Sequence, residues 1–116
     1  MIRQLIILKS AENDIKSLKQ LLIKNFGKDA WKSTYTQVKT DIHALQKYPM
    51  LGFILEETKS LNLDQFRQVI SGMNRIIYEI RKDMVFIHAI CHVHQDMQSL
   101  ITDRLLFGLN ERITVI

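Results

Sequence analysis

The chain has 116 residues, 47% of them hydrophobic and 24% charged, with one cysteine and a formal net charge of +4. That size and balance fit one soluble globular domain, long enough to bury a core. No apolar run is long enough to cross a bilayer, and Lys9 and Glu12 interrupt the N-terminal apolar run too soon for a secretory signal, so a cytoplasmic location is expected.

Charge is unevenly spread. Residues 1–55 hold nine Lys or Arg against four acids, and residues 56–116 hold seven against eight. The excess therefore belongs to the N-terminal half. A basic helical face there could meet an acidic protein or a nucleic acid, although lysines scattered around a helix are commonly a solvated surface.

Residues 2–8 are apolar nearly throughout, the pattern of a strand paired inside a sheet and covered on both faces. Ser10 is placed to cap a following helix, in which Ala11, Ile15, Leu18 and Leu22 share one face and Gly27 marks the end. A second helix is expected over residues 29–47, with Trp31, Tyr35, Val38, Ile42 and Leu45 recurring at steps of four and three. Tyr48-Pro49 ends it, because a residue before proline is pushed out of helical geometry. The crossing over residues 50–64 shows no strong periodicity and is expected to be loop with a turn of helix.

From residue 65 the pattern changes to runs rich in Ile, Val, Tyr and Phe. Turns at Ser71-Gly72 and Arg81-Lys82-Asp83 divide them into three strands, over residues 65–70, 74–80 and 84–92. Cys91 lies in the most apolar strand, alternating with Val85, Ile87 and Ala89, and is expected to be a small buried hydrophobe. Asp96 is placed to cap a short terminal helix carrying Met97, Leu100, Ile101 and Leu105. The apolar tail over residues 111–116 would be poorly placed in water and is expected to dock on this domain or on a neighbouring copy. Together these elements predict a small α+β domain: an N-terminal strand, a two-helix hairpin, a three-strand antiparallel meander and a short C-terminal helix, with residues 107–116 as an extension.

Two motifs give this order a family resemblance. Arg75-Ile76-Ile77-Tyr78 looks like the Tyr-Arg-aliphatic-aliphatic-Tyr strand of the RelE/ParE superfamily of bacterial toxins from type II toxin-antitoxin systems, with Asn74 in place of the first Tyr. The exit His92-x-x-x-Asp96 resembles the His-x-Arg-Met-Asp of ParE-like chains, with His94 and Gln95 at the two middle positions. The chain thus resembles the ParE-like branch, the plasmid stabilisation type. That resemblance implies an inhibitor of growth that binds an essential target, most readily DNA gyrase, and is neutralised by a cognate antitoxin. It implies no cofactor, and leaves open a homodimer or a toxin-antitoxin hetero-oligomer.

The ribonuclease branch of the same superfamily, which cuts messenger RNA on the ribosome, resembles an acid-base machine of lysines and arginines with a late tyrosine or histidine. Where that branch tends to place lysines this chain has Phe66 and Gln68, and no tyrosine follows Tyr78. Arg75 is kept, together with Arg67, Arg81, His88, His92 and His94. His92 and His94 are the candidate acid or base for 2′-OH chemistry, since imidazole titrates near neutrality. Strand alternation would set His88 and His92 on one face with Phe86 and Ile90; the plainer reading makes both structural. Arg67 and Arg75, on adjacent strands, could form one cationic patch for an antitoxin carboxylate or a target, or each could pair with Glu79 or Asp83. Candidate contacts are therefore Arg67, Arg75, His92, His94 and Asp96. His92, His94 and Asp96 sit at alternate positions, but with no further ligand nearby no metal site is expected. Alternatives to the gyrase inhibitor are a ribosome-dependent endonuclease and an inactive family member. Phosphate loops, nucleotide fingerprints and serine elbows are absent, and a helix-turn-helix is disfavoured because a meander follows the hairpin.

Overall fold

A computed structural model describes residues 3–59 and 64–94 and the backbone of residues 113–115. Its elements run β1 (Gln4–Leu8), α1 (Lys9–Phe26), α2 (Lys28–Lys47), a single 3-10 turn (Pro49–Leu51), β2 (Phe53–Ile54), α3 (Glu56–Lys59), β3 (Phe66–Ser71), β4 (Asn74–Arg81), β5 (Met84–His92) and β6 (Ile113–Val115). The predicted α+β order is present. The predicted terminal helix and its cap Asp96 lie outside the described residues.

All six strands form one sheet in the order β2-β3-β4-β5-β1-β6. β3, β4 and β5 are the antiparallel meander. Its reversals at Gly72-Met73 and Lys82-Asp83 each need a left-handed residue, supplied by Gly72 (φ 60°) and by Lys82 (φ 56°). β1 lies beside β5 and parallel to it, from Gln4 opposite Met84 to Ile7 opposite Ile87. Its position explains its composition: Leu5, Ile6, Ile7 and Leu8 are all buried, because side chains on both faces are covered. From the apolar tail, Ile113–Val115 docks as β6 on the outer side of β1, with Thr114 opposite Ile7.

The helical hairpin covers one face, the near face. Ala11 of α1 and Val38, Ile42 and Leu45 of α2 pack there with Leu5, Ile7, Ile76, Tyr78, Val85, Ile87 and Ile90. Gly27 (φ 95°) separates the helices, and its N–H takes the carbonyls of Leu22 and Ile23. The outer end of the α2 stripe is not core: Tyr35 is exposed and stacks on Trp31 at 5.1 Å. On the far face Leu55, Phe66, Ile77, Ala89 and Cys91 form a second cluster, and Ile6, Leu8 and Phe86 a third.

Three local expectations are corrected. Ser10 does not cap α1, which begins at Lys9 directly after the extended Leu8 and has no side-chain cap. Strand runs into helix without a loop, so Ser10 already faces the sheet, and its hydroxyl donates to the His88 carbonyl at 3.0 Å. One turn later Asp14 accepts the Ile90 N–H at 2.9 Å. Where β1 leaves β5, two side chains of α1 thus take over backbone groups that a paired strand would have satisfied. Next, the crossing is more than loop. Phe53 and Ile54 add the edge strand β2 opposite Gln68 and Arg67. Two residues are too few for a period to show.

The third correction concerns β5. Ile77 is opposite Ala89 while Tyr78 is opposite Ile87, so His88 is an extra residue in the ladder. Such a bulge re-aims the side chains beyond it. Val85 and Ile87 therefore face the helices, whereas Ala89 and Cys91 belong to the far-face cluster. Cys91 is buried, as expected of a small hydrophobe, and shares its face with Ala89 but not with Val85 and Ile87 as strict alternation gave it.

Candidate functional site

The same bulge separates the histidines. His88 lies on the far face, 2% exposed, edge-on to the Phe66 ring with the ring centres 5.2 Å apart. His92, four residues on, lies on the near face beside the outer ends of the helices. The expected pairing of His88 with His92 on one face is thus absent.

His88 is held in an ionic network that sequence reading missed. Its Nε2 is 2.8 Å from Glu79 Oε1. Arg81 donates to the same carboxylate from Nε at 3.1 Å and from Nη2 at 3.0 and 2.9 Å, and its guanidinium sits 4.6 Å above the Phe86 ring. Burial alone would push the Glu79 carboxyl up, but hydrogen bonds and charge from His88 and Arg81 outweigh it and hold it below the ordinary glutamate value. Glu79 therefore remains an anion at neutral pH with its oxygens satisfied. A buried imidazole so engaged is a structural group rather than one free to take a substrate proton. Strand alternation could have found this pair, since Glu79 and Arg81 are two apart in β4.

At the end of β5 the situation is different. His92 and His94 are both exposed, their rings 5.2 Å apart and tilted by 40°. The His94 N–H donates to His92 Nδ1 at 3.2 Å, so neutral His92 carries its proton on Nε2. These two candidates are brought together. Among the described residues no three His, Cys, Asp or Glu side chains are grouped as a metal would need. Asp96 lies outside them.

Arg67 and Arg75 do not form one patch. Arg67 is opposite Tyr78, and its Nη1 donates to the Gly52 carbonyl at 2.8 Å. Tyr78, fully buried, donates its hydroxyl to the Pro49 carbonyl at 2.7 Å and accepts the Gly52 N–H at 2.9 Å. Burial raises the phenol above its ordinary value, only partly countered by the Gly52 N–H and the Arg67 charge, so it stays a donor. Gly52 has no room for a side chain, since a Cβ there would lie 2.3 Å from the Gln68 carbonyl oxygen. Arg67 and Tyr78 together pin the crossing onto the sheet. Arg75 is opposite Cys91 and projects from the far face, where its Nε donates to Gln68 Oε1 at 2.6 Å. It shares that face with Phe66 and Gln68, the two residues standing where the ribonuclease branch tends to have lysines.

Near His92 the outer ends of α1 and α2 and the β3-β4 turn enclose a groove of about 640 Å³. Leu18, Leu21, Leu22, Phe26 and Met73 supply its apolar walls, and Ser71, Asn74 and His92 its polar side. Leu21, Phe26 and Met73 are exposed, and among the described residues the buried Ser71 hydroxyl has no hydrogen-bond partner. The groove therefore offers apolar contact area with an unused polar atom beside it.

A mixed sheet backed on one side by a helical hairpin, with His92 and His94 side by side at the meander's exit, is the α+β arrangement that the sequence led one to expect. The model of the ParE toxin of type II toxin-antitoxin systems, parDE, matches residues 5–97. The chain belongs to the ParE toxin family. Among solved structures, one titled as a chromosomal ParDE toxin-antitoxin system from P. aeruginosa superposes with a TM-score of 0.68 at 12% identity, covering 80% of this chain and 98% of that one. That likeness shows the fold. No curated protein matches the sequence.

Proposed function

We propose that this ParE-family toxin arrests growth in the cytoplasm by binding an essential protein, DNA gyrase, and that a cognate antitoxin neutralises it. Gyrase is the target that the ParE-like resemblance implies. The observation that carries the non-catalytic reading is the engagement of the polar groups on the sheet. His88 and Arg81 are committed to Glu79, Arg67 to Gly52 and Tyr78 to Pro49. Phe66, standing at a position where a ribonuclease would have lysine, is 1% exposed in a hydrophobic cluster. Such a chain has surface to bind with and few free groups to catalyse with.

The antitoxin segment is assigned to the groove between Leu18, Leu21, Leu22 and Met73. Family toxins commonly bind an extended antitoxin segment over the sheet and against the helices, and the exposed apolar walls suit one. Purified toxin should inhibit gyrase supercoiling, with inhibition relieved by the antitoxin from the neighbouring gene. One observation keeps a second reading alive: His92 and His94 are exposed and adjacent, as an acid-base pair in a ribosome-dependent endonuclease would be. Cleavage of ribosome-bound messenger that is lost in His92→Ala or His94→Ala would replace the first reading with that one.

A further inference from the structure

The turn joining α2 to the sheet exposes a run of large apolar side chains that neither the core nor the groove accounts for. Tyr48, Met50, Leu51 and Phe53, four of six consecutive residues, are each more than half exposed. Tyr48, Met50 and Leu51 share a shallow cleft of about 480 Å³ with Pro49 and two cations, Arg3 and Lys47. The Lys47 ammonium lies 5.6 Å from the Tyr48 ring centre. Among the described residues, Arg3 Nε is buried and has no hydrogen-bond partner. An unsatisfied guanidinium N–H is costly to bury unless an acceptor arrives.

The run is held rigidly from beneath. The Pro49 carbonyl and the Gly52 N–H both bond the buried Tyr78 hydroxyl, the Gly52 carbonyl takes Arg67, and the Leu51 N–H closes onto the Tyr48 carbonyl at 3.1 Å. A turn fixed this way loses little conformational entropy on binding. Its exposed residue types, Tyr, Met and Phe with Arg beside them, are those enriched at the centres of protein interfaces.

We infer that the Tyr48–Phe53 turn, flanked by Arg3 and Lys47, is the docking surface for the toxin's protein target, and that it takes an acidic segment with apolar anchors. A carboxylate of that segment pairs with the Arg3 guanidinium at the cleft, the Lys47 ammonium offers a second positive charge, and an apolar side chain lies across Met50 and Leu51. The inference rests on the reading that the toxin acts by protein contact, and it separates the target's surface from the antitoxin groove.

The test uses the full chain with Arg3→Glu and with Met50→Ser/Leu51→Ser, the second altering exposed side chains alone should Arg3→Glu unsettle the fold. Gyrase supercoiling inhibition, binding of the purified antitoxin, thermal unfolding and gel filtration are measured for each. We expect the half-inhibitory concentration to rise at least about tenfold, with antitoxin affinity and unfolding temperature unchanged. Inhibition unchanged in the folded Met50→Ser/Leu51→Ser variant overturns the surface, as does loss of antitoxin binding. A wild-type dimer abolished by the substitutions also overturns it, the occupant then being a second copy. If the wild type leaves gyrase untouched, the gyrase reading fails separately and the variants are scored by growth arrest: loss of arrest with antitoxin binding kept supports the surface, and retained arrest overturns it. A wild type that neither inhibits gyrase nor arrests growth overturns both.

Discussion

His88 and His92 stand four residues apart on one strand and have opposite surroundings. His88 is enclosed on the far face, its imidazole against a buried carboxylate that Arg81 also holds. His92 is exposed on the near face, where its ring lies beside His94 and its Nδ1 accepts the His94 N–H. One extra residue in β5 makes the difference. Histidine content alone therefore says little about catalysis here: burial and partners decide which imidazole is fixed and which is available.

The largest effect should come from breaking the enclosed side. His88→Ala removes one partner of a buried carboxylate and leaves a void beside Phe66, and should destabilise the fold by about 3 kcal/mol, read as a lower denaturation midpoint. Glu79 gives the same region a pH signature. Its folded-state pKa is depressed, so its stabilisation is fully present above the ordinary glutamate value of 4.5 and is lost as pH falls through the lower folded value. Thermal unfolding followed from neutral pH into acid should show the wild type losing more stability than Glu79→Gln, whose amide does not titrate there; parallel curves would contradict the network.

Next in size, Tyr78→Phe strands the Pro49 carbonyl and the Gly52 N–H in a buried site and should cost about 2 kcal/mol. Gly52→Ala should destabilise as well, since a methyl group cannot share space with the Gln68 carbonyl and strand β3 must move. Chemical denaturation compares both with the wild type. At the exposed end the expected effects on stability are small: His92→Ala should stay within about 0.5 kcal/mol of wild type by the same measurement. There the sensitive readout is activity. His94→Arg replaces an imidazole by a permanent forked cation, as ParE-like chains often have, and should strengthen growth arrest; equal or weaker arrest would show that the position does not meet the target.

How much of this could be read beforehand divides along the same line. The meander was legible because its turns interrupt apolar runs, and its observed strands end within one residue of the expected bounds. The helical hairpin was legible from Ala11, Val38, Ile42 and Leu45 at helical spacing and from Gly27 between them. The bulge was not, because Ile87-His88-Ala89 carries no glycine or proline to mark it, and a tertiary cause fixed it: Ser10 and Asp14 of α1 take the backbone groups of His88 and Ile90. The face assignments beyond His88 shifted with it. β2 escaped notice because the contacts that define it, with Gln68 and Arg67, are remote in sequence. For the site, sequence named the arginines and histidines but not their partners. Arg67 was read as half of a cationic patch or as a partner of Glu79 or Asp83, whereas it ties down Gly52, and Glu79 entered only as a counter-charge for an arginine, whereas it is the centre of a buried network.

The central claim is that this toxin works by contact and that its histidines are not chemical groups. The most direct measurement is gyrase supercoiling by purified enzyme with wild-type toxin and with the double variant His92→Ala/His94→Ala, each with and without the antitoxin. The account predicts inhibition by both forms, within a few-fold of each other and relieved by the antitoxin. Gyrase left active by the wild type, together with messenger cleavage on ribosomes that the double variant cannot perform, would contradict it.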